Sequence, residues 1–270
     1  MACNQTPKHD PLPVADYGLL PFIDKPYFFE DSPIWQDDFE YTGAPDPAKW
    51  GYDLGGHGWG NNELQNYTKS TKNARVENGK LIIEVLREKM DNNNYTSARL
   101  VSKNKGDWTY GKFVIRAKIP QGRGTWPAIW MLPTNQSYGT QYWPDNGEID
   151  IMEHVGFDPN VIHGNIHTKA YNHSIKTNKG NSTVVPTALE EFHVYATEWT
   201  PTSIKISIDG KEYFVFSNEK NWQAWPFDKP FHLLLNIAVG GNWGGLKGID
   251  DSIFPQRMEV EYVRVYALKK

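Results

Sequence analysis

Three acidic residues stand within one short stretch of the chain. Segment 148–153 reads Glu-Ile-Asp-Ile-Met-Glu. Side chains of an extended strand alternate between its two faces, so Glu148 and Asp150 share the face opposite the two isoleucines. Strict alternation would put the apolar Met152 next on that face, but a β-bulge inserts one residue and returns Glu153 to it. The spacing therefore predicts a bulged strand that carries three carboxyl groups along one side.

Carboxyl groups held this close together have a specific chemical use. Like charges at close range raise the pKa of one group and keep it protonated. A protonated carboxyl beside an ionised one can cleave a glycosidic bond, because one group protonates the leaving oxygen while the other attacks the anomeric carbon. In the retaining form of this reaction the two carboxyls stand about 5–5.5 Å apart. An exposed acidic strand face or a metal site would show the same triplet, so the triplet alone leaves these readings open.

Aromatic residues precede the acidic segment. Trp126 and Trp130 lie four positions apart, on one face of a predicted strand. The chain contains 11 Trp and 14 Tyr, more than a core normally needs. Flat rings with one polar edge suit sugar rings, whose faces are apolar and whose rims carry hydroxyls. We therefore expect about half of the aromatic residues in the core, and these two as stacking surfaces beside the acids.

The elements that must position these residues are predicted to be strands. Alternating or continuous apolar runs predict four of them, over 113–119, 204–208, 231–239 and 258–268. Asp209-Gly210 predicts a type I′ hairpin turn. Residues 218–225 are expected to form one short helix, and Gly- and Asn-rich loops are expected over 55–62 and 133–146. Many short strands separated by turns predict a β-sandwich of the jelly-roll type.

Composition limits the class of protein. The chain has 270 residues, a net charge of -4 and no basic block, which excludes the electrostatic footprint of a nucleic-acid-binding protein. Its single cysteine, Cys3, excludes an internal disulfide. No apolar run approaches the roughly 20 residues of a membrane helix, so we expect no transmembrane segment. We predict a tether and lead-in segment over residues 1–30 and one domain over 31–270, acting as a monomer.

The start of the chain suggests a location. The order Met-Ala-Cys-Asn-Gln-Thr resembles a bacterial lipoprotein cut at its lipid-bearing cysteine, here Cys3. The Pro-rich polar residues that follow are typical of a tether. The expectation is an extracellular or cell-surface protein that Cys3 anchors to lipid, and an ordinary cytosolic start with a stray thiol is the alternative.

Five sequence blocks together resemble glycoside hydrolase family 16, in its laminarinase-like branch. In chain order they are W-G-N-N-E-L-Q at 59–65, S-A-R-L at 97–100, W-P-A-I-W-M-L at 126–132, E-I-D-I-M-E at 148–153 and N-I-A-V-G-G-N-W at 236–243. The resemblance covers roughly residues 35–268. It implies a concanavalin-like jelly-roll sandwich of two antiparallel sheets with a concave substrate cleft. It also implies an endo-acting, retaining hydrolase of β-glucans that contain β-1,3 linkages, namely laminarin or mixed-linkage β-1,3/1,4-glucan.

The resemblance also implies roles for single residues. Glu148 would be the nucleophile, Glu153 the general acid/base, and Asp150 an electrostatic helper between them, with no cofactor required for catalysis. Matching cleft residues, expected to bind substrate, are Asn62, Glu63, Arg99, Trp126, Trp130, His167 and Trp243. The chain departs from many members of the family at Asn66, where an aromatic residue is frequent, and near Asn165. These departures concern the details of the sugar subsites.

The sequence also offers two candidate metal sites, one for zinc and one for calcium. His163 and His167 lie on one face of a predicted strand and would serve as zinc ligands only if the strand bends. Members of the family often hold a structural calcium ion near the last strand. Glu261 stands where they usually carry Asp, which leaves a calcium site at Glu261 open.

Two other functions compete with glucan hydrolysis. The same fold serves non-catalytic, lectin-like glucan-binding modules, but a binding module has no need for Glu148 and Glu153 together. Relatives that cut galactans such as agar or porphyran share the acidic motif. They would be expected to add cations for sulfate groups, whereas the cleft blocks here offer only Arg99, with Arg123 as an addition. A neutral glucan is therefore the favoured substrate.

Overall fold

The structure is a computed structural model that describes residues 26–269. Nearly all of its regular structure is strand. The strands are β1 (Trp35–Asp37), β2 (Gly51–Asp53), β3 (Gln65–Tyr67), β4 (Ala74–Glu77), β5 (Lys80–Val85), β6 (Tyr95–Ser97), β7 (Arg99–Val101), β8 (Asp107–Trp108), β9 (Gly111–Lys118), β10 (Thr125–Pro133), β11 (Glu148–Glu153), β12 (Val161–His167), β13 (Lys179–Val184), β14 (His193–Trp199), β15 (Ser203–Ile208), β16 (Lys211–Ser217), β17 (Phe231–Val239) and β18 (Gln256–Tyr266). Two short 3-10 helices cover His173–Ile175 and Asp251–Ile253.

Two antiparallel sheets form the sandwich. The first has the strand order β16-β15-β14-β9-β18-β5-β4, with β1 paired to β18. The second has the order β13-β12-β11-β10-β17-β7-β2, with β8 paired to β17. In each sheet a run of consecutive strands, β14–β16 or β10–β13, pairs at its end with a strand from a distant part of the sequence, β9 or β17, as in a jelly roll. The predicted fold class is confirmed, and the acidic segment lies on β11 in the middle of the second sheet.

The core lies between the sheets and follows the alternation of the strands. On β9, Phe113, Ile115 and Ala117 are fully buried while the residues between them are half-exposed. All nine residues of β17 are buried, as its continuous apolar run predicted. Each fully buried side chain of this kind contributes about 1.5–3 kcal/mol. This packing holds the inner face of the second sheet, which includes the apolar side of the acidic strand, against the core.

The predicted hairpin turn is confirmed. Asp209 and Gly210 both have positive φ angles, of 51° and 77°. Ile208 and Lys211 face each other across the turn as the last register pair of β15 and β16. Positive φ at both central residues is what a type I′ turn requires.

The predicted helix over 218–225 is wrong. The segment contains one turn, in which the Trp225 amide donates to the Asn221 carbonyl at 2.8 Å. The Asn221 side chain accepts from the Ala224 amide and caps that turn. Pro226 follows this turn. Because proline has no backbone N–H to donate, the turn does not continue into a helix. The final strand also ends at Tyr266, two residues earlier than expected.

A short segment before the first strand pairs with the chain beyond the last one. The Glu30 amide donates to the Ala267 carbonyl at 2.9 Å, and the Lys269 amide donates to the Phe28 carbonyl at 2.7 Å. Cys3 and most of the predicted tether lie outside the described residues, so the division at residue 30 stays a prediction. Within 26–269, no helix has the length and apolar character needed to cross a membrane.

Candidate active site

The predicted bulge on β11 is confirmed by the register on both of its sides. Against β10, Met152 faces Ile129 but Asp150 faces Trp130, so one residue of β11 has no partner. Against β12, the register also shifts between Asp150 and Glu153. The extra residue is Ile151.

The bulge sorts the side chains of β11 between two environments. Ile149, Ile151 and Met152 are fully buried in the core. The three carboxyl groups line a cavity of about 340 Å³ on the other face of the sheet. Three acidic groups therefore share one cavity, as the sequence predicted.

The carboxyl group of Glu153 accepts one hydrogen bond at each oxygen. The Trp126 indole Nε1 donates to Oε1 at 3.1 Å, and the Asn165 amide Nδ2 donates to Oε2 at 3.0 Å. The donors come from β10 and β12, the two strands that flank β11. Glu153 is 9% exposed, so its orientation is set from both sides.

His167 lies against the other two acids. Its Nε2 is 3.3 Å from Oδ2 of Asp150 and 3.8 Å from Oε1 of Glu148. These three side chains place one potential ligand atom each within 4.8 Å of one another, the one such group found among the described residues. His163 does not belong to it; its ring packs against Trp243 with centroids 4.9 Å apart. The geometry therefore does not pair the two histidines for zinc.

Burial dominates the electrostatics of the acidic row. It raises the pKa of Glu148 well above its usual range, and the charge of Asp150 raises it further. Burial and the charge of Glu153 do the same to the pKa of Asp150. Burial also raises the pKa of Glu153, but the neighbouring His167 imidazole and the N–H groups of Trp126 and Asn165 oppose the rise. The row therefore keeps a proton above the pH at which isolated carboxyls lose theirs.

Arg99 forms one wall of the cavity and is held on both faces. Its guanidinium lies 4.8 Å from the ring centre of Trp59 and 4.6 Å from that of Trp130, and its Nε is 3.0 Å from Oδ2 of Asp53. Trp130 also donates its indole N–H to Asn236 at 2.7 Å. Trp130 therefore lines the cavity as predicted, with one face already covered by Arg99.

The remaining predicted cleft residues fall into two groups. Glu63 lines the cavity and accepts from Gln65 at 2.6 Å and from the Tyr67 hydroxyl at 3.3 Å. Asn62 and Trp243 are not among the lining residues. The Asn62 amide donates to Asn242 at 2.8 Å and joins two loops. Trp243 packs edge-on against Trp126, with centroids 5.5 Å apart, and so supports the donor to Glu153.

Several cavity residues were not predicted as site residues. Those outside the strands are Trp59, Gly60, Asn61, Tyr142, Trp143, His173 and Ser174, and those on β10 and β17 are Ala128, Leu132, Asn236 and Ala238. Trp143 packs near His173 and His167, with ring centroids 4.9 and 6.1 Å away. Trp143 lies in the loop predicted over 133–146, just before the acidic segment, and this position could have directed attention to it. The sequence around His173 contains no comparable signal.

The surroundings of Glu261 do not fit a calcium site. Its carboxylate forms an ion pair with the Arg116 guanidinium on the neighbouring strand. Calcium takes six to eight oxygen ligands, and a carboxylate already neutralised by a guanidinium is a poor one. The calcium site stays an open prediction without support from this geometry.

Comparison with known proteins relates this geometry to a family. Residues 61–264 match Glycosyl hydrolases family 16. A beta-glucanase of Rhodothermus marinus is 60% identical over 240 residues, which span 86% of this chain and 84% of that protein. Glucan endo-1,3-beta-glucosidase A1 of Niallia circulans is 39% identical over 259 residues, which span 86% of this chain and 37% of that protein. The laminarinase structure from Rhodothermus marinus superposes with a TM-score of 0.88 at 57% identity, covering 91% of this chain and 100% of that one.

The raised pKa of Glu148 predicts that this residue destabilises the fold at neutral pH. A group whose folded-state pKa lies above its unfolded value favours folding below the unfolded pKa and loses that contribution as the pH rises through the folded one. Glu148→Gln stays neutral throughout, so its melting temperature should exceed that of the wild type at pH 7. The gap should narrow toward pH 4, where most of the wild-type carboxyl is protonated in both states.

Differential scanning calorimetry between pH 4 and 8 measures this difference. Glu88→Gln is the matched control, because the Lys72 ammonium lowers the pKa of this exposed carboxyl. The control should show no gain in melting temperature at pH 7. A Glu148→Gln variant that melts below the wild type at pH 7 would contradict the burial argument.

Proposed function

The chain belongs to glycosyl hydrolase family 16, and we propose that Glu148 is the nucleophile and Glu153 the general acid/base of a retaining β-glucan hydrolase. One observation carries the assignment. The bulged strand β11 brings three carboxyl groups into one cavity, with the Glu153 carboxyl oriented by a donor at each oxygen. The chain is a glycoside hydrolase of the glucanase type, and the residue roles below are our proposal for how it works.

The first half of the reaction breaks the glycosidic bond. Glu153 donates its proton to the glycosidic oxygen while a Glu148 carboxylate oxygen attacks the anomeric carbon. The bond from that carbon to the leaving oxygen breaks, and an ester forms between Glu148 and the sugar. The leaving half of the chain departs as an alcohol, and Glu153 becomes a carboxylate.

The second half returns both residues to their starting state. Glu153 now accepts a proton from a water molecule, whose oxygen attacks the same carbon from the side that the leaving group left. The ester bond breaks and Glu148 is released as a carboxylate. Two displacements at one carbon retain its configuration.

Asp150 and His167 act on Glu148 as positioning groups. Asp150 is only 2% exposed and lies between the two reacting carboxyls on β11. His167 Nε2 contacts both Asp150 and Glu148. The His167 imidazole opposes the rise in the pKa of Glu148 that burial and Asp150 cause. We propose that this opposition leaves Glu148 ionised for attack while the proton of the row resides on Glu153.

The cavity walls favour a neutral glucan over a sulfated galactan. Arg99 is the one Lys or Arg residue among those that line the cavity. Its faces are covered by Trp59 and Trp130 and it is paired with Asp53, so it offers no free charge to a sulfate group. The relatives from Rhodothermus marinus and Niallia circulans are a beta-glucanase and a glucan endo-1,3-beta-glucosidase. We propose β-1,3-containing glucans as substrate, cut at internal bonds.

The intact acidic row argues against a lectin-like binding module. Three buried carboxyls in one cavity raise each other's pKa and destabilise the fold. A module that only binds sugar would gain nothing from this arrangement, since aromatic faces and neutral hydrogen-bonding groups suffice for binding.

Substrate size supports an extracellular place of action. A glucan polymer does not cross a membrane, so an enzyme that cuts it internally works outside the cytoplasm. We expect intact cells of the native host to release oligosaccharides from added laminarin, as measured by reducing ends in the medium. Activity that appears only after lysis would contradict this. The lipid anchor at Cys3 and the monomeric state stay predictions.

We propose that catalysis needs no metal ion, because the two carboxyls supply the nucleophile and the proton that the reaction requires. Dialysis against EDTA should leave kcat on laminarin unchanged. A loss of activity that a divalent cation restores would contradict this proposal, whether the ion binds at the group of Glu148, Asp150 and His167 or at a structural site.

The acid/base assignment predicts a dependence on the leaving group. Glu153→Ala should slow cleavage of laminarin by roughly 10²–10⁴-fold. Cleavage of an aryl β-glycoside with a good leaving group should slow far less in its first step, since that group needs no proton. Azide should rescue turnover and give a β-glycosyl azide, detected by NMR.

Glu148→Gln is the matched control, because an amide cannot attack and both substrates should then remain uncut. An α-glycosyl azide from Glu153→Ala would mean that azide attacks the substrate directly in place of the removed carboxylate, and would make Glu153 the nucleophile instead of the acid/base. Normal laminarin cleavage by Glu153→Ala would remove this residue from the reaction.

A further inference from the structure

We propose that Asn165 is a positioning residue for the acid/base, and that Asn178 holds the Asn165 amide in the orientation this role needs. The inference rests on the assignment of Glu153 made above. It adds two side chains from β12 and from the segment before β13 to the machinery of the reaction.

The contact is a direct hydrogen bond to one oxygen of the acid/base. Asn165 Nδ2 donates to Glu153 Oε2 at 3.0 Å, while Trp126 Nε1 donates to Oε1 at 3.1 Å. Among the hydrogen bonds of the described residues, these two are the ones that Glu153 accepts. Removing Asn165 therefore leaves the carboxyl held at one oxygen, free to rotate about its remaining partner.

The Asn165 amide has two ends, and its surroundings select one of them for Glu153. Asn178 Nδ2 donates to Asn165 Oδ1 at 3.3 Å. A donor needs the oxygen end of the amide, which turns the N–H end toward the carboxylate. The amide therefore presents a donor to Glu153 and not a second oxygen.

Glycine at position 180 makes room for this side chain. Gly180 faces Asn165 across the register of β12 and β13. A Cβ atom at position 180 would lie 2.1 Å from Asn165 Oδ1, a distance that atoms do not tolerate. The Asn165 side chain thus extends over the edge strand in space that only glycine leaves open.

The bond bears on how Glu153 changes role. A donated N–H stabilises the carboxylate, so it lowers the pKa of Glu153 against the rise caused by burial. The titratable groups that face Glu153 are Glu148 and Asp150 on its own strand, His163 and His167 on β12, and Tyr213, whose hydroxyl lies under Gly164. Of all these neighbours, none donates a hydrogen bond to Glu153 in the described structure.

The test compares the pH dependence of kcat/KM on laminarin for three variants. In Asn165→Ala the acid/base loses a donor that favours its ionised form, so it keeps its proton to higher pH. The alkaline limb of the profile should move up by about one pH unit, the size expected for a hydrogen bond to a charged group. Asn178→Ala should move the limb in the same direction by less.

Asn181→Ala is the matched control. Asn181 is exposed on β13 and donates to the Tyr213 carbonyl at 2.8 Å, so its loss removes a bond of the same kind without touching Glu153. Its profile should coincide with that of the wild type. An unchanged alkaline limb in Asn165→Ala, even with a lower melting temperature, would overturn the proposal and leave Asn165 a structural residue.

Two further results keep the outcome clear. If Asn165→Ala does not fold, Asn178→Ala decides, because Asn178 is an exposed side chain and a static limb there overturns the proposal. Glu153→Gln distinguishes a wrong acid/base assignment from a wrong role for Asn165. If that variant keeps the wild-type alkaline limb, the acid/base assignment itself fails; if it loses the limb while Asn165→Ala does not shift it, only this inference fails.

Discussion

The row of like charges on β11 is the constraint on which the rest of the site depends. Glu148, Asp150 and Glu153 are withdrawn from water together, and each makes ionisation of the next less favourable. Such a row persists only if the surrounding structure holds it against the repulsion. The second sheet does so by burying the opposite face of β11 in the core and by placing donors for Glu153 on both flanking strands.

The bulge places the carboxyl groups of Glu148 and Glu153 in different surroundings. Glu153 lies beyond the extra residue and accepts an indole and an amide N–H, whereas Glu148 lies before it and has a histidine nearby. The two acids therefore differ in partners although they share one strand and one cavity. A chemical reaction that needs one carboxyl to attack and another to exchange a proton depends on such a difference.

Local patterns predicted much of this arrangement. The bulge followed from Met152 standing where alternation required an acid, and the hairpin followed from Asp209-Gly210. Both signals depend on neighbouring residues alone. The expected helix over 218–225 was wrong because a capped turn and a following proline stop it after one turn. The contacts of Asn165 with Asn178 and of His173 with Trp143 join segments through loop conformations. Such conformations depend on the assembled sheets and leave no pattern in sequence.

The position of Arg99 between two indole rings has a consequence for how the enzyme responds to its medium. A charge enclosed by Trp59, Trp130 and Asp53 is shielded from dissolved ions, because screening acts mainly on charges that water surrounds. Its neutral substrate brings no charge of its own to be screened. Affinity for glucan should therefore change little between dilute buffer and concentrated brine, and the cleft wall is suited to work across a wide range of ionic strength.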